Sequence, residues 1–469
     1  MKQVIIVLFL LFVAMYAGAE ATIDRHQDKG VTTIRWSTDP NPARNSQMAV
    51  YHQMFPHDNA TVDPTSGGDV SKQIVQCATG TGPDVIDTGK ENMITLVQAG
   101  VLLDLTPYAK QMGFDPTKTY PALKDAITYE GKQYRYPANV WANCVVYNKK
   151  VFDDHGVPYP KPGWTYADFV KTCEELQNNP SKSGGPKVMA IANYSDTWMV
   201  EDLLIGYGGH FYSPDGLVAA VNDKPATDAM QFYSDLIYKY RVVPTPAESS
   251  AMSSQGGWGA GAMDWFYSGR AAMLEIGRWF IVSVPQYPNL VGNLGCALLP
   301  GVGDRPSSGQ TDTRAVGVNA KSPHRLQALQ FLSYLASPAY SHQIIEDGDA
   351  LPPDPDLART GKQLVDRYEN DPAFQQVFIE AEKNARPIDS SPFIDPSQVD
   401  RWITNTIQEV ENNLMTPSQA MDSLADQINQ QIRVNLERRP DLQKEYEQVT
   451  GKPYTPEWWR SHPASPAGW

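Results

Sequence analysis

The sequence predicts an α/β protein of more than one lobe, and three observations carry that prediction. Strand-like and helix-like stretches alternate along the chain, several helices open on explicit capping signals, and 469 residues at 41% hydrophobic and 20% charged supply material for two or more cores. No low-complexity linker divides the chain, so ordered segments are expected to cross between lobes. Strands alternating with helices also imply parallel sheets.

The elements follow in order. Lys2, an apolar run from Val4 to Met15 and the small-x-small Ala17-Gly18-Ala19 read as a signal peptide, residues 1–19, cleaved after Ala19. The run is too short for the ~20 apolar residues that span a bilayer. VTTIRWS (31–37) is a β-branched strand, and after the loop DPNPARN, Met48, Tyr51, His52 and Phe55 recur on one helical face. GTGPDV (80–85) carries a G-x-G, but it follows a helical stretch and has Val85 in place of a third glycine. It reads as a helix cap and a turn into the strand PDVI.

Thr165 and Asp168 form a capping box ahead of Phe169, Val170, Cys173 and Leu176. FYSGRAAMLEIGRWF (266–280) resembles an amphipathic helix whose end, at Gly277-Arg278-Trp279, does not behave as one. Ser322-Pro323 opens a helix with the stripe Leu326, Leu329, Leu332 and Leu335, and Thr416 with Gln419 caps another carrying Met421, Leu424 and Ile428 inward. Residues 436–469 form a C-terminal extension, rich in proline and aromatics, expected either to pack through Trp458, Trp459 and Trp469 or to fray over its last few residues.

A formal net charge of -14 repels phosphate backbones, so nucleic acid is not an expected partner. The four cysteines, Cys77, Cys144, Cys173 and Cys296, lack C-x-x-C spacing, and the eight histidines are scattered, so neither a metal site nor a cofactor is expected. The pairing of the cysteines is open. There is no H-E-x-x-H, G-x-S-x-G or G-x-x-x-x-G-K-[ST] to announce catalysis. A carboxylate pair acting on a glycosidic bond stays open, because its spacing is a property of the fold. Tryptophans stand near glycines and small polar residues at Trp36, Trp141, Trp198, Trp258, Trp265 and Trp279. Indole faces stack on sugar C–H faces while polar neighbours bind hydroxyls, a combination that suits a carbohydrate cleft; the plain alternative for each is a core position.

Read in order, ATGTGPDVI, LVQAGVLLDLTPY, YEGKQYRYPANVWANCVVYNKKVFDDHGV, PGWTYADF, FYSGRAAMLEIGRWF, LLPG and SPHRLQALQFLSYLASP resemble the extracellular solute-binding proteins of ABC sugar importers, the family that includes the maltodextrin-binding protein. The resemblance covers residues 30 to 435 and implies the two-lobed periplasmic-binding-protein fold of type II, with a hinge of crossing segments and a ligand cleft between the lobes. It implies an N-terminal lobe of 30–138 and 297–345 and a C-terminal lobe of 139–296 and 346–435. It further implies a periplasmic or other extracytoplasmic monomer that captures an oligosaccharide or related neutral sugar, closes, and delivers it to ABC permease subunits, with no enzymatic step. A secreted glycoside hydrolase and a binder of another solute, such as a polyol or glycerophosphodiester, are the alternatives.

By the same matching, Trp279 is the foremost ligand-stacking residue, presented by a G-x-W turn at Gly277, with Gly269, Ala271 and Ala272 in a helix end packed beneath. Arg278 stands where the family form has proline and supplies either a guanidinium donor to the cleft or a solvated charge. Thr88 and Glu91 are implied in the first lobe's sugar-facing loop, Asn139 and Trp141 on the hinge side, and Asp196 and Trp198 at a helix start. Trp36, Asp39, Gln310 and Thr311 complete the implied set.

Overall fold

The computed structural model describes residues 30–63, 70–252 and 260–462, the side chains of Glu91 and Met252 excepted. The expected signal peptide, Trp258 and Trp469 therefore lie outside the described residues.

The chain opens as expected. Strand β1 (Thr32–Ser37) leads through the proline-rich loop into helix α1 (Arg44–Met54) and then β2 (Asp58–Val62). Helix α2 (Val70–Ala78) ends in the glycine turn before β3 (Val85–Thr88), and α3 (Lys90–Gln98) follows. Gly80 takes φ 76°, the left-handed cap conformation. Strand β4 (Arg135–Pro137) then enters the same sheet, and a short β5 (Trp141–Ala142) leaves it.

A second sheet is built from β6 (Cys144–Asn148), β7 (Met189–Asn193), β8 (Ala271–Ile276) and β9 (Leu294–Ala297). Around it pack α4 (Tyr166–Asn178), α5 (Asp196–Gly206) and α6 (Lys224–Tyr238). The chain returns through β10 (Thr311–Asp312) to β11 (Ala315–Val318) in the first sheet, where α7 (Arg325–Leu335) and α8 (Pro338–Glu346) follow. It crosses once more to α9 (Pro372–Asn384), α10 (Pro396–Glu411), α11 (Pro417–Arg438) and α12 (Pro440–Thr450).

The strand orders are β2-β1-β3-β11-β4 in the first sheet and β9-β6-β8-β7 in the second. Both are mixed rather than parallel. β1 runs parallel to β2 and β3, but β11 is antiparallel to β3 and β4. In the second sheet β8 is parallel to β7 while β6 runs against both β8 and β9. The reason is connectivity: strands that come back from the other lobe enter from the opposite end, so they are not the products of a βαβ crossover.

Three segments join the lobes, as the expected hinge required. β5 and β10 pair as a two-stranded ribbon, Thr311 opposite Ala142 and Asp312 opposite Trp141. Val140 and Leu351 exchange both backbone hydrogen bonds at 2.9 Å, which draws the third segment against the first. Residues 298–309, expected with the first lobe, pack on the second: Gly301 bridges Thr165 and Leu298 O accepts from Trp164 Nε1 at 2.8 Å.

The cap signals at Thr165/Asp168 and Thr416/Gln419 both form capping boxes. The helix expected at Ser322 starts two residues later, at Arg325: Ser322 Oγ accepts from His324 N at 3.0 Å in the turn before it and donates to Asp84 Oδ1, and Leu326 of its stripe is exposed. FYSGRAAMLEIGRWF is not one helix. A short helix ends at Tyr267, Gly269 turns with φ 76°, and Ala271 to Ile276 form β8, buried throughout. Small alanines serve strand packing there, not a helix end. The extension packs on the second lobe's core through Leu442, Tyr446 and Trp458, with Trp459 partly buried, and His462 pairs with Asp215 at 2.7 Å. All four cysteines are free. Cys296 stands opposite Val146, diagonal to Cys144 on the adjacent strand.

Candidate functional site between the lobes

Between the lobes lies a cavity of about 470 Å³. The first lobe supplies Asp87, Thr88 and Lys90 from the end of β3 and the start of α3. The second supplies Thr197, Trp198 and Glu201 from α5 and Val399, Asp400 and Ile403 from α10, while the hinge ribbon contributes Trp141, Gln310, Asp312 and Arg314. That placement is what α/β topology favours: strand ends and helix starts, where side chains converge without breaking the sheet.

Aromatic rings form one wall. Trp141 and Trp198 stack with centroids 4.5 Å apart and planes 26° from parallel. Trp279 meets Trp141 and Trp198 edge-on at 5.7 and 5.9 Å, and Tyr194 joins at 5.3 Å from Trp198. Trp279, expected to stack on ligand, braces these two rings edge-on; it is partly exposed and is not among the residues that line this cavity. Its position depends on Gly277, where a Cβ would come within 1.9 Å of the Trp279 ring.

Charge is arranged around that wall. Asp87 accepts from Trp36 Nε1 and Thr38 Oγ1 at 2.5 Å and pairs with Arg314. Gln310 reaches across with its backbone N–H on Asp202 Oδ1 at 2.6 Å and its side-chain amide on Trp198 O at 3.2 Å. Lys90 donates to the backbone oxygen of Ile388, a bond from one lobe to the other. Burial first, and then the neighbouring charges of Asp202, Asp400 and Asp312, push the Glu201 carboxyl up to about 8. Burial likewise raises Asp312, against the pull of Lys90.

The Glu201 shift sets a pH dependence. The folded protein holds this proton more tightly than the unfolded chain, so the group's contribution to stability declines as pH rises from about 4.5 to about 8. Glu201→Gln is expected to flatten that decline and to be the more stable form at pH 8 and above. Urea midpoints measured across the window check it; parallel curves for the two proteins would remove Glu201 as the cause.

Of the implied residues, the cavity brings together Thr88, Trp141, Trp198 and Gln310. The others take different places. Trp36 is fully buried within β1, edge-on to Phe331 and flanked by the guanidiniums of Arg44 and Arg314 at 5.4 and 5.3 Å. Alternation along β1 turns it to the core. Asp39 sits outside the lining; burial raises its carboxyl, but Arg44 and Arg314 overcome that and hold it at about 2.

Asn139 and Thr311 serve the hinge. Asn139 accepts from Arg314 N at 3.1 Å and from Thr313 Oγ1 at 2.6 Å, and Thr311 Oγ1 donates to Trp141 O at 3.0 Å. Asp196 faces the second lobe's interior, beside Asn193, Tyr233 and Glu411, because the first turn of α5 turns it away from Trp198. Glu91 lies outside the described side chains. Arg278 is neither a cleft donor nor a solvated charge but a buried hub with Asp366, Gln375 and three backbone oxygens.

Lys90, Glu201, Asp312 and Arg314 escaped the sequence reading. Glu201 was signalled: it follows Trp198 by three residues, the spacing that puts two side chains on one helical face. Among the described residues no group of acidic, histidine or cysteine side chains is arranged to hold a metal ion.

Comparison with known proteins agrees with this geometry. Residues 38–341 match the model of the family described as bacterial extracellular solute-binding protein. The maltodextrin-binding protein MdxE of Bacillus subtilis (strain 168) is 25% identical over 283 residues, 58% of this chain and 61% of that protein. The diacetylchitobiose binding protein DasA of Streptomyces coelicolor is 25% identical over 278 residues, 58% and 60% of the two chains. The match thus spans about three fifths of each relative. Among solved structures, the ABC substrate-binding protein Lmo0181 from Listeria monocytogenes, in complex with cycloalternan, superposes with a TM-score of 0.70 at 22% identity, covering 85% of this chain and 98% of that one. A matched span of this extent, on a two-lobed frame with an aromatic cavity at the hinge, places the chain among the bacterial extracellular solute-binding proteins.

Proposed function

We propose that the protein captures a neutral oligosaccharide or related sugar outside the cytoplasm and hands it to the membrane subunits of an ABC importer by closing its lobes. One observation carries the reading: the Trp141 and Trp198 indoles stand on a cavity whose remaining walls, from both lobes, are rich in hydrogen-bonding groups. The names of the two relatives, a maltodextrin binder and a diacetylchitobiose binder, support the same ligand class. The sugar ring stacks on the indole wall, and Thr88, Gln310, Glu201 and Asp312 take its hydroxyls. Nothing is chemically transformed.

Because groups from both lobes reach the ligand only in the closed form, ligand shifts the open–closed equilibrium by its differential affinity. The mature chain begins at Glu20, works as a monomer and binds no nucleic acid. A thermal-shift screen of maltotriose, diacetylchitobiose and other oligosaccharides identifies the guest, and small-angle scattering then tests closure. The radius of gyration is expected to fall on adding the sugar that binds. Unchanged scattering with a bound sugar would count against closure, and release of hydrolysis products would replace the reading with an enzymatic one.

A further inference from the structure

Arg278 is 1% exposed, an expensive place for a guanidinium unless every donor is used. Here Nε donates to Gln375 Oε1 at 2.7 Å, Nη1 to Asp349 O, and Nη2 to Asp366 Oδ2 and Leu364 O at 2.8 Å and to Ile345 O at 3.3 Å. Two of these acceptors, Ile345 and Asp349, bracket the end of α8, where the third crossing segment begins. The same segment is pressed on the turn that carries Arg278: a Cβ at Gly348 would lie 2.5 Å from Ile281 Cγ2.

Asp349 extends the connection into the first lobe. While its backbone oxygen receives Arg278, its carboxylate accepts from Arg44 Nη1 and Gln47 Nε2, each at 3.1 Å, and Arg44 continues to Asp39 at 2.7 Å. On the other side of Arg278, its chain neighbour Trp279 braces both wall indoles. A continuous path of contacts, buried from Arg278 through Asp349 to Arg44, therefore runs from the aromatic wall, through one guanidinium, to the crossing segment and α1.

We propose that Arg278 is a positioning residue: with Asp349 it ties the Trp279 brace to the 347–351 crossing segment, so that the stacking wall is held in place by, and moves with, the hinge. The planar fork suits this task, since it spreads five fixed donors over acceptors on several segments, where an ammonium offers three from a single point. This deepens the reading of the cavity as the ligand cleft and rests on it.

The test needs no ligand, so its failure is separable from failure of the sugar reading. Coupled indoles give an exciton couplet in circular dichroism, and the part that depends on Trp279 is the difference between the wild type and Trp279→Phe. In Arg278→Lys that part is expected to fall by at least about half, the released ring losing its edge-on geometry. Adding Trp279→Phe to Arg278→Lys is then expected to remove only what remains, about half or less of what it removes from the wild type. A folded Arg278→Lys with a lower melting temperature and the full couplet would overturn the proposal and leave Arg278 as a stabilising residue only. Hydrogen exchange on the wild type gives an independent answer should the variant not fold. Amides of 278–283 and 347–351 are expected to exchange in one opening event, and faster, separate opening of 278–283 would overturn the tether.

Discussion

Replacing Arg278 with methionine is expected to lower the unfolding free energy by about 3–5 kcal/mol, the cost of stranding a charge in a buried pair. Asp366, whose side chain is completely buried, loses its cation, and the backbone oxygens of Ile345, Asp349 and Leu364 lose a donor at the same time. Urea unfolding near neutral pH reads the effect. Arg278→Met combined with Asp366→Asn is expected to recover part of the loss, because the variant no longer buries an unpaired carboxylate. A single variant within about 1 kcal/mol of wild type, the range of exposed ion pairs, would show that the hub contributes little.

Replacing Trp198 with alanine is expected to weaken binding of the sugar identified by the screen by about 2 kcal/mol or more, roughly thirtyfold, the scale of a central aromatic anchor. The indole both lines the cavity and holds Trp141 by stacking at 4.5 Å, so the truncation removes one surface and loosens another. Titration calorimetry measures the change, and Trp265→Ala, outside the cavity lining and under the Arg270 guanidinium at 4.8 Å, serves as the comparison. Equal losses in both variants would point to general destabilisation instead of lost stacking.

Local chemistry made much of the fold legible. The boxes at Thr165 and Thr416 and the glycine turn before β3 are decided by atoms a few residues apart, and each formed as read. Sheet direction was not legible, since it depends on where β11 returns after a long excursion. The same division runs through the site. Trp141 and Trp198 carried enough chemistry to be found, whereas the roles of Trp36, Asp196 and Arg278 turned on which way one side chain faces. For Arg278 the decisive partners lie 67 to 97 residues away along the chain, beyond any local signal.

The order of strands has a consequence for how the chain is made. β11 lies between β3 and β4 in the first sheet, yet it is encoded after the whole of the second one. A ribosome that has emitted β1 to β4 has therefore supplied every strand of that sheet except the one that joins its two parts, and contacts of such long separation form slowly. A fragment that contains β4 but ends before residue 315 leaves the edges of β3 and β4 without the strand that pairs with both, a template for association with another chain.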